Sequence, residues 1–207
     1  MITKSQLAIV LSKLEQFKEP NAEIEQYTTD AEIAADVLWN AYMLGDIKGR
    51  IIADLGCGTG TLGIGALLLG AKWVFFLDVD SKAIEIAERN LGNISKQFRI
   101  ESKANFIVGD INDFSKSVEI VIQNPPFGVQ QEHADKAFLE KGFEVADIIY
   151  SFHKIESKGF IEGISKDNNF RVTNLFQFNF PLKMTMEHHT RRIQRIRVGC
   201  WRLEKQK

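Results

Sequence analysis

The feature that most constrains the fold is a glycine-rich run that separates a short apolar segment from a helical one. Ile51–Leu55 is apolar like a buried strand, and Thr61–Leu69 has the composition of a helix. Between them, Gly56–Gly60 has the sequence Gly-Cys-Gly-Thr-Gly. Glycines allow a tight turn and let a ligand approach the backbone at the positive end of the following helix. The run predicts a strand–loop–helix unit whose loop binds a ligand; a tight turn without a ligand is the alternative.

Strand-like and helix-like segments alternate through the rest of the chain. Beyond the first strand, the apolar segments predict short strands at Trp73–Leu77, Asn105–Val108, Glu119–Ile122 and Asp147–Phe152. Two long stretches that alternate with a period of two, Arg171–Phe180 and Arg192–Leu203, follow them. This order predicts an α/β fold with a doubly wound, mostly parallel sheet and one antiparallel strand at its edge.

The length of 207 residues suits one domain. Residues 1–46 contain two helical patterns and are predicted to form an N-terminal helical cap, while residues 47–207 form the core. Two cysteines, Cys57 and Cys200, provide neither a disulfide framework nor a metal cluster. The chain shows no membrane-spanning run and no signal-peptide pattern. We therefore expect no metal, no membrane contact and a cytoplasmic location.

Charge is distributed unevenly along the chain. The formal net charge of −1 does not favour a general nucleic-acid coat. From Lys183 to Lys207, however, eight lysines and arginines face two glutamates. This segment predicts phosphate contacts, and a charged outer face of an edge strand is the alternative. The candidate contacts are Arg191, Arg192, Arg195 and Arg197.

The glycine spacing fits two cofactors. With the spacing Gly56-x-Gly58-x-Gly60, the loop matches the S-adenosylmethionine pattern, and a shift to Gly58-x-Gly60-x-x-Gly63 matches the dinucleotide fingerprint equally well. Asp54, which opens the run, and Cys57 within it are assigned to the same site. A nucleophilic role for Cys57 is not expected.

Carboxylates at two further strand ends are predicted to bind the nucleoside. Asp78 ends the second strand, twenty residues after Gly58, where a carboxylate accepts hydrogen bonds from ribose hydroxyls. Asp110 ends the third strand and is predicted to face the adenine ring; a turn aspartate is the alternative.

The tetrapeptide Asn124-Pro125-Pro126-Phe127 follows the fourth strand and is predicted to point into the same crevice, because ligands bind beyond the carboxyl ends of parallel strands. The Asn124 side-chain oxygen and the Pro125 carbonyl are suited to accept hydrogen bonds from the two N–H groups of a planar amine. The two prolines fix the backbone, and Phe127 stacks on the ring. No charged base is needed, because the nitrogen loses its proton after it becomes positively charged. The alternative is a turn without a catalytic role.

Asp54–Gly60 combined with Asn124–Phe127 resembles the class I amino-methyltransferases. Glu25–Thr28, Asp135–Leu139 and Tyr150–Lys154 narrow this resemblance to the small-subunit rRNA adenine-N6 methyltransferases, the methyltransferase-like-five group of eukaryotes and archaea.

The resemblance implies a Rossmann-like, seven-stranded sheet, S-adenosylmethionine as methyl donor and structured small-subunit rRNA as substrate. It also implies that Gln26 and Thr28 close over the methionine end of the cofactor, and that a small zinc-binding activator subunit associates with the chain. In the loop after Phe127, Val129–His133 departs from the more basic, glycine-bearing stretch of the family.

Other interpretations remain open at this point. His153 and Lys154 end the fifth strand and are candidates for RNA-backbone contact, or a helix start without a catalytic role. His188 and His189 have no ligand partners at metal spacing. The rival functions are methylation of a protein glutamine amide, a catalytically silent RNA-binding scaffold, and a dehydrogenase.

Overall fold

A computed structural model describes residues 2–17, 28–98, 100–126, 134–184 and 192–206, without the side chains of residues 134, 180–184 and 192–195. The described chain contains a seven-stranded sheet. In chain order its strands are β1 (Ile51–Leu55), β2 (Trp73–Asp78), β3 (Lys103–Val108), β4 (Ile120–Gln123), β5 (Ile148–Lys154), β6 (Phe170–Met184) and β7 (Arg192–Lys205).

The strand order across the sheet is β3–β2–β1–β4–β5–β7–β6. Strands β1 to β5 are parallel to one another, while β7 is antiparallel to both β5 and β6. The predicted doubly wound, mostly parallel α/β sheet is confirmed. Its one reversed strand, β7, lies one place in from the edge, with β6 outside it. The inner position suits β7 because Val198, Cys200 and Trp201 are fully buried.

Helices cover both faces of the sheet. They are α1 (Lys4–Leu11), α2 (Ala31–Met43), α3 (Thr61–Leu68), α4 (Ser81–Phe98), α5 (Ala134–Val145) and α6 (Lys158–Asp167). The apolar spacing in the sequence predicts helices over Lys4–Phe17 and Ser81–Gly92, whereas α1 ends at Leu11 and α4 continues through Gly92. The longer α4 follows from its apolar face, which buries Ile94 beyond the glycine.

Two hydrophobic clusters pack on the sheet. One joins α1, α2 and α3 to one face, and the other joins α5 and α6 to the opposite face. Residues 1–46 thus contribute to a core shared with residues 47–207: a Cβ on Gly65 of α3 would lie 2.4 Å from Leu38 of α2. Of the helices described, none has the length and apolar character required of a membrane span.

The strand order reverses at β1, which has β2 on one side and β4 on the other. Loops that leave β1 and β4 at their carboxyl ends therefore diverge to opposite faces and leave a crevice between them. The glycine loop follows β1 and Asn124 follows β4, so the topology brings these two distant segments to one cleft.

Candidate active site

The glycine loop has a backbone that only glycine adopts readily. Gly56, Gly58 and Gly60 have φ angles of 65°, 52° and 85°, in the left-handed region. Gly60 is the N-cap of α3 and leads the chain into the helix. A Cβ on Gly56 would also lie 3.0 Å from the Phe138 ring of α5. The loop therefore presents bare backbone at the mouth of the cleft.

Asp78 anchors this loop from the end of β2. Its carboxylate accepts hydrogen bonds from the backbone N–H of Gly58 at 2.8 Å and of Asp80 at 3.0 Å. Burial raises the pKa of this carboxyl above its ordinary value. The predicted ribose-binding residue thus lies directly against the glycine loop.

Asp54 and Cys57, both assigned to the site from the sequence, line the cleft. The Asp54 carboxylate accepts the Gly63 N–H at 2.8 Å. Burial, with the nearby Asp78 charge, raises the Asp54 pKa to about 7. Burial also raises the pKa of the Cys57 thiol well above its usual range, which keeps it neutral.

Asn124 lies at the end of β4 and faces the glycine loop across the cleft. Its amide nitrogen Nδ2 donates a hydrogen bond to the Thr29 hydroxyl at 2.9 Å. Its amide oxygen Oδ1 is buried and has no hydrogen-bond partner among the described residues. A buried acceptor without a donor is costly, so this oxygen is suited to a ligand N–H.

Two hydroxyls at the junction of the glycine loop and α3 share this property, and neither was predicted from the sequence. Thr59 Oγ1 and Thr61 Oγ1 are buried and lack a partner within the described part of the chain. Their position beside Gly60 was the available signal. Three unpartnered oxygens thus converge on one cleft, whose described lining is Phe17, Thr28, Thr29, Asp54, Gly56, Cys57, Gly58, Thr59, Thr61, Leu62 and Asn124.

Asn90 of α4 holds in place the side of the cleft that is formed by the segment after α1. Its Oδ1 accepts the Glu15 N–H at 2.8 Å, and its Nδ2 donates to the Glu15 and Thr59 carbonyls, each at 3.0 Å. The segment after α1 is thereby held on the glycine loop. A Cβ on Gly58 would lie 3.6 Å from the Phe17 ring. No sequence pattern marked Asn90 for this role.

The remaining predicted residues have different surroundings. Thr28 lines the cleft. Asp110 is exposed at the end of β3, where its carboxylate accepts the Asn112 N–H at 2.8 Å, a turn interaction. Pro125 and Pro126 follow Asn124 directly, and Gln26 and Phe127 lie outside the described residues.

A second polar cluster is buried beside the cleft. Gln123 Nε2 donates to Ser151 Oγ at 3.0 Å, and Ser151 Oγ lies 2.6 Å from His153 Nε2. His153 Nδ1 lies 3.7 Å from an Asp135 carboxylate oxygen. Burial lowers the pKa of His153. The interpretation of His153 as an RNA-backbone contact is wrong, because the residue is 1% exposed.

Comparison with protein families identifies the class of protein that has this cleft. The model of the methyltransferase small domain family matches residues 28–147, more than half of the chain, and includes both the glycine loop and Asn124. The chain belongs to this family.

Individual relatives of this methyltransferase small domain protein are similar to it over nearly its whole length. An uncharacterized protein of Methanocaldococcus jannaschii is 36% identical over 99% of this chain and 95% of its own. The rRNA N(6)-adenosine-methyltransferase METTL5 of Danio rerio is 28% identical over 93% of this chain and 94% of its own. A crystal structure from Pyrococcus horikoshii, provisionally described as an RNA methyltransferase, has a TM-score of 0.90 and 43% identity, covering 99% and 98% of the two chains.

Family membership makes the protein a methyltransferase and makes the crevice between β1 and β4 its candidate active site. The glycine loop and Asn124 lie on opposite walls of this crevice. A methyl donor held by the loop would thus face an acceptor held by Asn124.

Proposed function

We propose that this methyltransferase transfers a methyl group from S-adenosylmethionine to the exocyclic N6 amino group of adenine in rRNA. The observation that carries the proposal is Asn124 Oδ1, a buried amide oxygen without a described partner, in the cleft formed by the glycine loop. The similarity to rRNA N(6)-adenosine methyltransferases over most of the chain supports the substrate.

The loop side of the cleft would hold the cofactor, whose sulfonium supplies the methyl group. The backbone at Gly56 and Gly58 would admit its nucleoside, and the Asp78 carboxylate, which contacts the same loop, would accept hydrogen bonds from its ribose hydroxyls. Asp110 would accept from the adenine amino group. Gln26 and Thr28 would close over the methionine end, and the unpartnered Thr59 and Thr61 hydroxyls suit its polar groups.

The opposite side would hold the target base. Asn124 Oδ1 and the Pro125 carbonyl accept the two N–H bonds of a planar amino group, which directs the nitrogen lone pair towards the methyl carbon. Pro125 and Pro126 restrict the backbone that carries these acceptors. Phe127 would stack on the base. The catalytic contribution is therefore positioning and desolvation, with no side chain required as a base.

We further propose that the substrate is small-subunit rRNA, that a small zinc-binding subunit activates the chain, and that the protein acts in the cytoplasm. All three rest on the resemblance to the methyltransferase-like-five group. The basic C-terminal strands favour an RNA substrate over a protein glutamine amide.

The decisive experiment is nucleoside mass spectrometry of small- and large-subunit rRNA from cells that lack this protein. We expect loss of one N6-methyladenosine, restored by the wild-type chain. In parallel, purified protein is incubated with labelled S-adenosylmethionine and either rRNA or a release factor. Methylation of the release factor alone would contradict the proposal and support the glutamine alternative.

Asn124→Ala tests the site itself. Because the variant loses an acceptor that positions the amine, we expect the transfer rate to fall at least about 100-fold, with donor affinity changed less than about threefold. Calorimetry with S-adenosylmethionine and single-turnover kinetics measure the two quantities. If this variant still transferred the methyl group at the wild-type rate, the proposed mechanism would be wrong.

A further inference from the structure

Helix α5 carries a buried lysine, Lys141. Its side chain is only 7% exposed, and lysine is rarely buried so deeply unless its charge has partners. The ammonium nitrogen Nζ donates to the Asn112 carbonyl at 3.2 Å and to the Phe114 carbonyl at 3.1 Å. It also lies 2.8 Å from a Glu144 carboxylate oxygen. An ammonium group has three donors, so each of them has a partner.

The two carbonyls contribute more to holding this ammonium than the carboxylate does. Glu144 is 61% exposed, and water weakens the attraction between an exposed carboxylate and its cation. The hydrogen bond to the Phe114 carbonyl is buried, and that to the Asn112 carbonyl is partly buried. Hydrogen bonds from a charged donor are stronger than those between neutral groups. Lys141 therefore attaches α5 firmly to the backbone at these two residues.

Both carbonyls belong to the 3-10 turn that follows β3. The turn is Ile111–Asp113, with Asp110 as its N-cap and Phe114 as its C-cap. The Asp110 carboxylate accepts the Asn112 N–H at 2.8 Å. Asn112 thus connects two charged side chains, because its N–H binds Asp110 and its carbonyl binds Lys141. The position of the Asp110 carboxylate depends on the turn, and Lys141 holds the turn.

The same face of α5 also contacts the glycine loop. Phe138 precedes Lys141 by three positions, and residues three apart on a helix are neighbours on its surface. A Cβ on Gly56 would lie 3.0 Å from the Phe138 ring. Helix α5 therefore supports two segments that the proposed function assigns to the cofactor, the glycine loop and the turn at Asp110.

We propose that Lys141 is a positioning residue that fixes the 3-10 turn, so that the Asp110 carboxylate selects a nucleoside whose purine carries an amino group. The inference rests on the proposed function, in which Asp110 accepts a hydrogen bond from the adenine amino group. Lys141 acts through backbone carbonyls and does not itself bind the purine. The sequence pattern of α5 does not distinguish Lys141 from Lys136, which is 49% exposed on the same helix.

Two ligands measure this selectivity without any catalysis. One is S-adenosylhomocysteine, and the other is its analogue in which hydrogen replaces the adenine amino group. Calorimetry gives the ratio of their Kd values. In wild type, we expect the analogue to bind about tenfold more weakly, the scale of one hydrogen bond to a charged group. In Lys141→Met, which removes all three donors, the ratio should fall below about threefold because the carboxylate is no longer held in place.

Two further variants of α5 are matched controls. Lys136→Met makes the same substitution at an exposed lysine, and Glu144→Gln removes the exposed carboxylate but leaves both carbonyl bonds. Both variants should keep the Kd ratio within about twofold of wild type, since exposed ion pairs contribute little. If Lys141 only stabilised the fold, Lys141→Met would lower the melting temperature and weaken both ligands equally. An unchanged Kd ratio in that variant would therefore overturn the inference.

Nuclear magnetic resonance tests the wild type alone and decides the matter if Lys141→Met does not fold. The ammonium protons of Lys141, assigned through the bonds of its own side chain, should exchange slowly with water. Their signal should shift more with S-adenosylhomocysteine than with the analogue. Freely exchanging protons, or equal shifts with the two ligands, would overturn the inference.

The Kd ratio also separates this inference from the proposed function. A ratio near one in wild type would show that Asp110 does not bind the adenine amino group, and the inference would fail with that assignment. If the ratio falls in Lys141→Met as expected but no rRNA is methylated, the proposed reaction is wrong and the role of Lys141 stands.

Discussion

At the scale of single residues, two carboxylates at neighbouring strand ends hold the glycine loop by its backbone. Asp78 binds the N–H of Gly58, and Asp54 binds the N–H of Gly63 in the first turns of α3. Both carboxyls have raised pKa values because burial disfavours their charge. The geometry of the loop is thus maintained at an electrostatic cost.

Asp54→Asn tests this cost through the pH dependence of stability. The pKa of Asp54 is about 7 in the folded chain, whereas the ordinary pKa of this side chain is 3.8. Between these values the folded state binds more protons, so this group makes stability fall as pH rises from about 4 to about 7. As the pH rises from 5 to 8, we expect the melting temperature of the wild type to fall by at least about 3 °C more than that of the variant.

The comparison isolates Asp54 because His153 is present in both proteins. His153 has a lowered pKa, so its effect has the opposite direction: stability is lost as pH falls below its ordinary value of 6.5. If the melting temperatures of wild type and variant change with pH by the same amount across this range, ionisation of Asp54 costs the folded state little free energy.

At the scale of secondary structure, β6 and β7 extend beyond the rest of the sheet. Lys154, at the carboxyl end of β5, pairs with Val198, but β7 continues back from there through Arg192–Arg197, paired with Asn179–Met184. This extension is on the side where β1 and β4 end and the cleft opens. Part of the basic segment therefore lies at the same edge of the sheet as the candidate site, with β5 between them.

Arg197→Gln tests whether this extension binds RNA phosphates. Arg197 is exposed. Its loss should weaken RNA binding similarly for all sequences and reduce the slope of log K against log salt concentration by roughly 0.7 to 0.9. Fluorescence anisotropy with an rRNA fragment over a salt series measures both effects.

Arg171→Gln is the matched control. Arg171 is an exposed arginine on β6, but it pairs with Glu204 at the opposite end of the strand pair, away from the cleft. It changes the net charge by the same amount, so we expect little change in the salt slope. Equal effects of both variants would mean that RNA responds to overall charge and not to the extension.

At the scale of the whole molecule, a buried network joins distant parts of the chain. Asp46, in the loop after α2, accepts hydrogen bonds from Tyr150 Oη at 2.6 Å and from Arg202 Nε at 2.7 Å. The Arg202 and Asp46 side chains are only 10% and 5% exposed. One arginine of the basic C-terminal segment is therefore buried in an ion pair and is not exposed for a phosphate contact.

Arg202→Met should destabilise the fold by about 3–5 kcal/mol, because it leaves the Asp46 carboxylate buried without its cation. Urea denaturation at neutral pH measures the change. The double variant Asp46→Asn with Arg202→Met should recover part of the loss, since it removes the uncompensated charge. A cost below about 1 kcal/mol for the single variant would show that the ion pair is solvated.

Features that depend on neighbouring residues were predictable from the sequence. The glycine loop needs left-handed backbone at Gly56, Gly58 and Gly60, and only glycine adopts it readily, so the residue pattern indicates the turn. Apolar periodicity indicated the strands and helices in the right order, and with them a cleft between the ends of β1 and β4. Asn124 was found because its tetrapeptide follows a strand.

Only the tertiary structure decided which distant groups meet. The bonds from Thr29 to Asn124, from Asn90 to Glu15 and Thr59, and from Arg202 to Asp46 join residues 31 to 156 positions apart. The inner position of β7 in the sheet was likewise decided only by the tertiary structure. Local backbone preference carries no information on such pairs, because they depend on how helices and strands pack, and packing is settled by burial of the whole core at once.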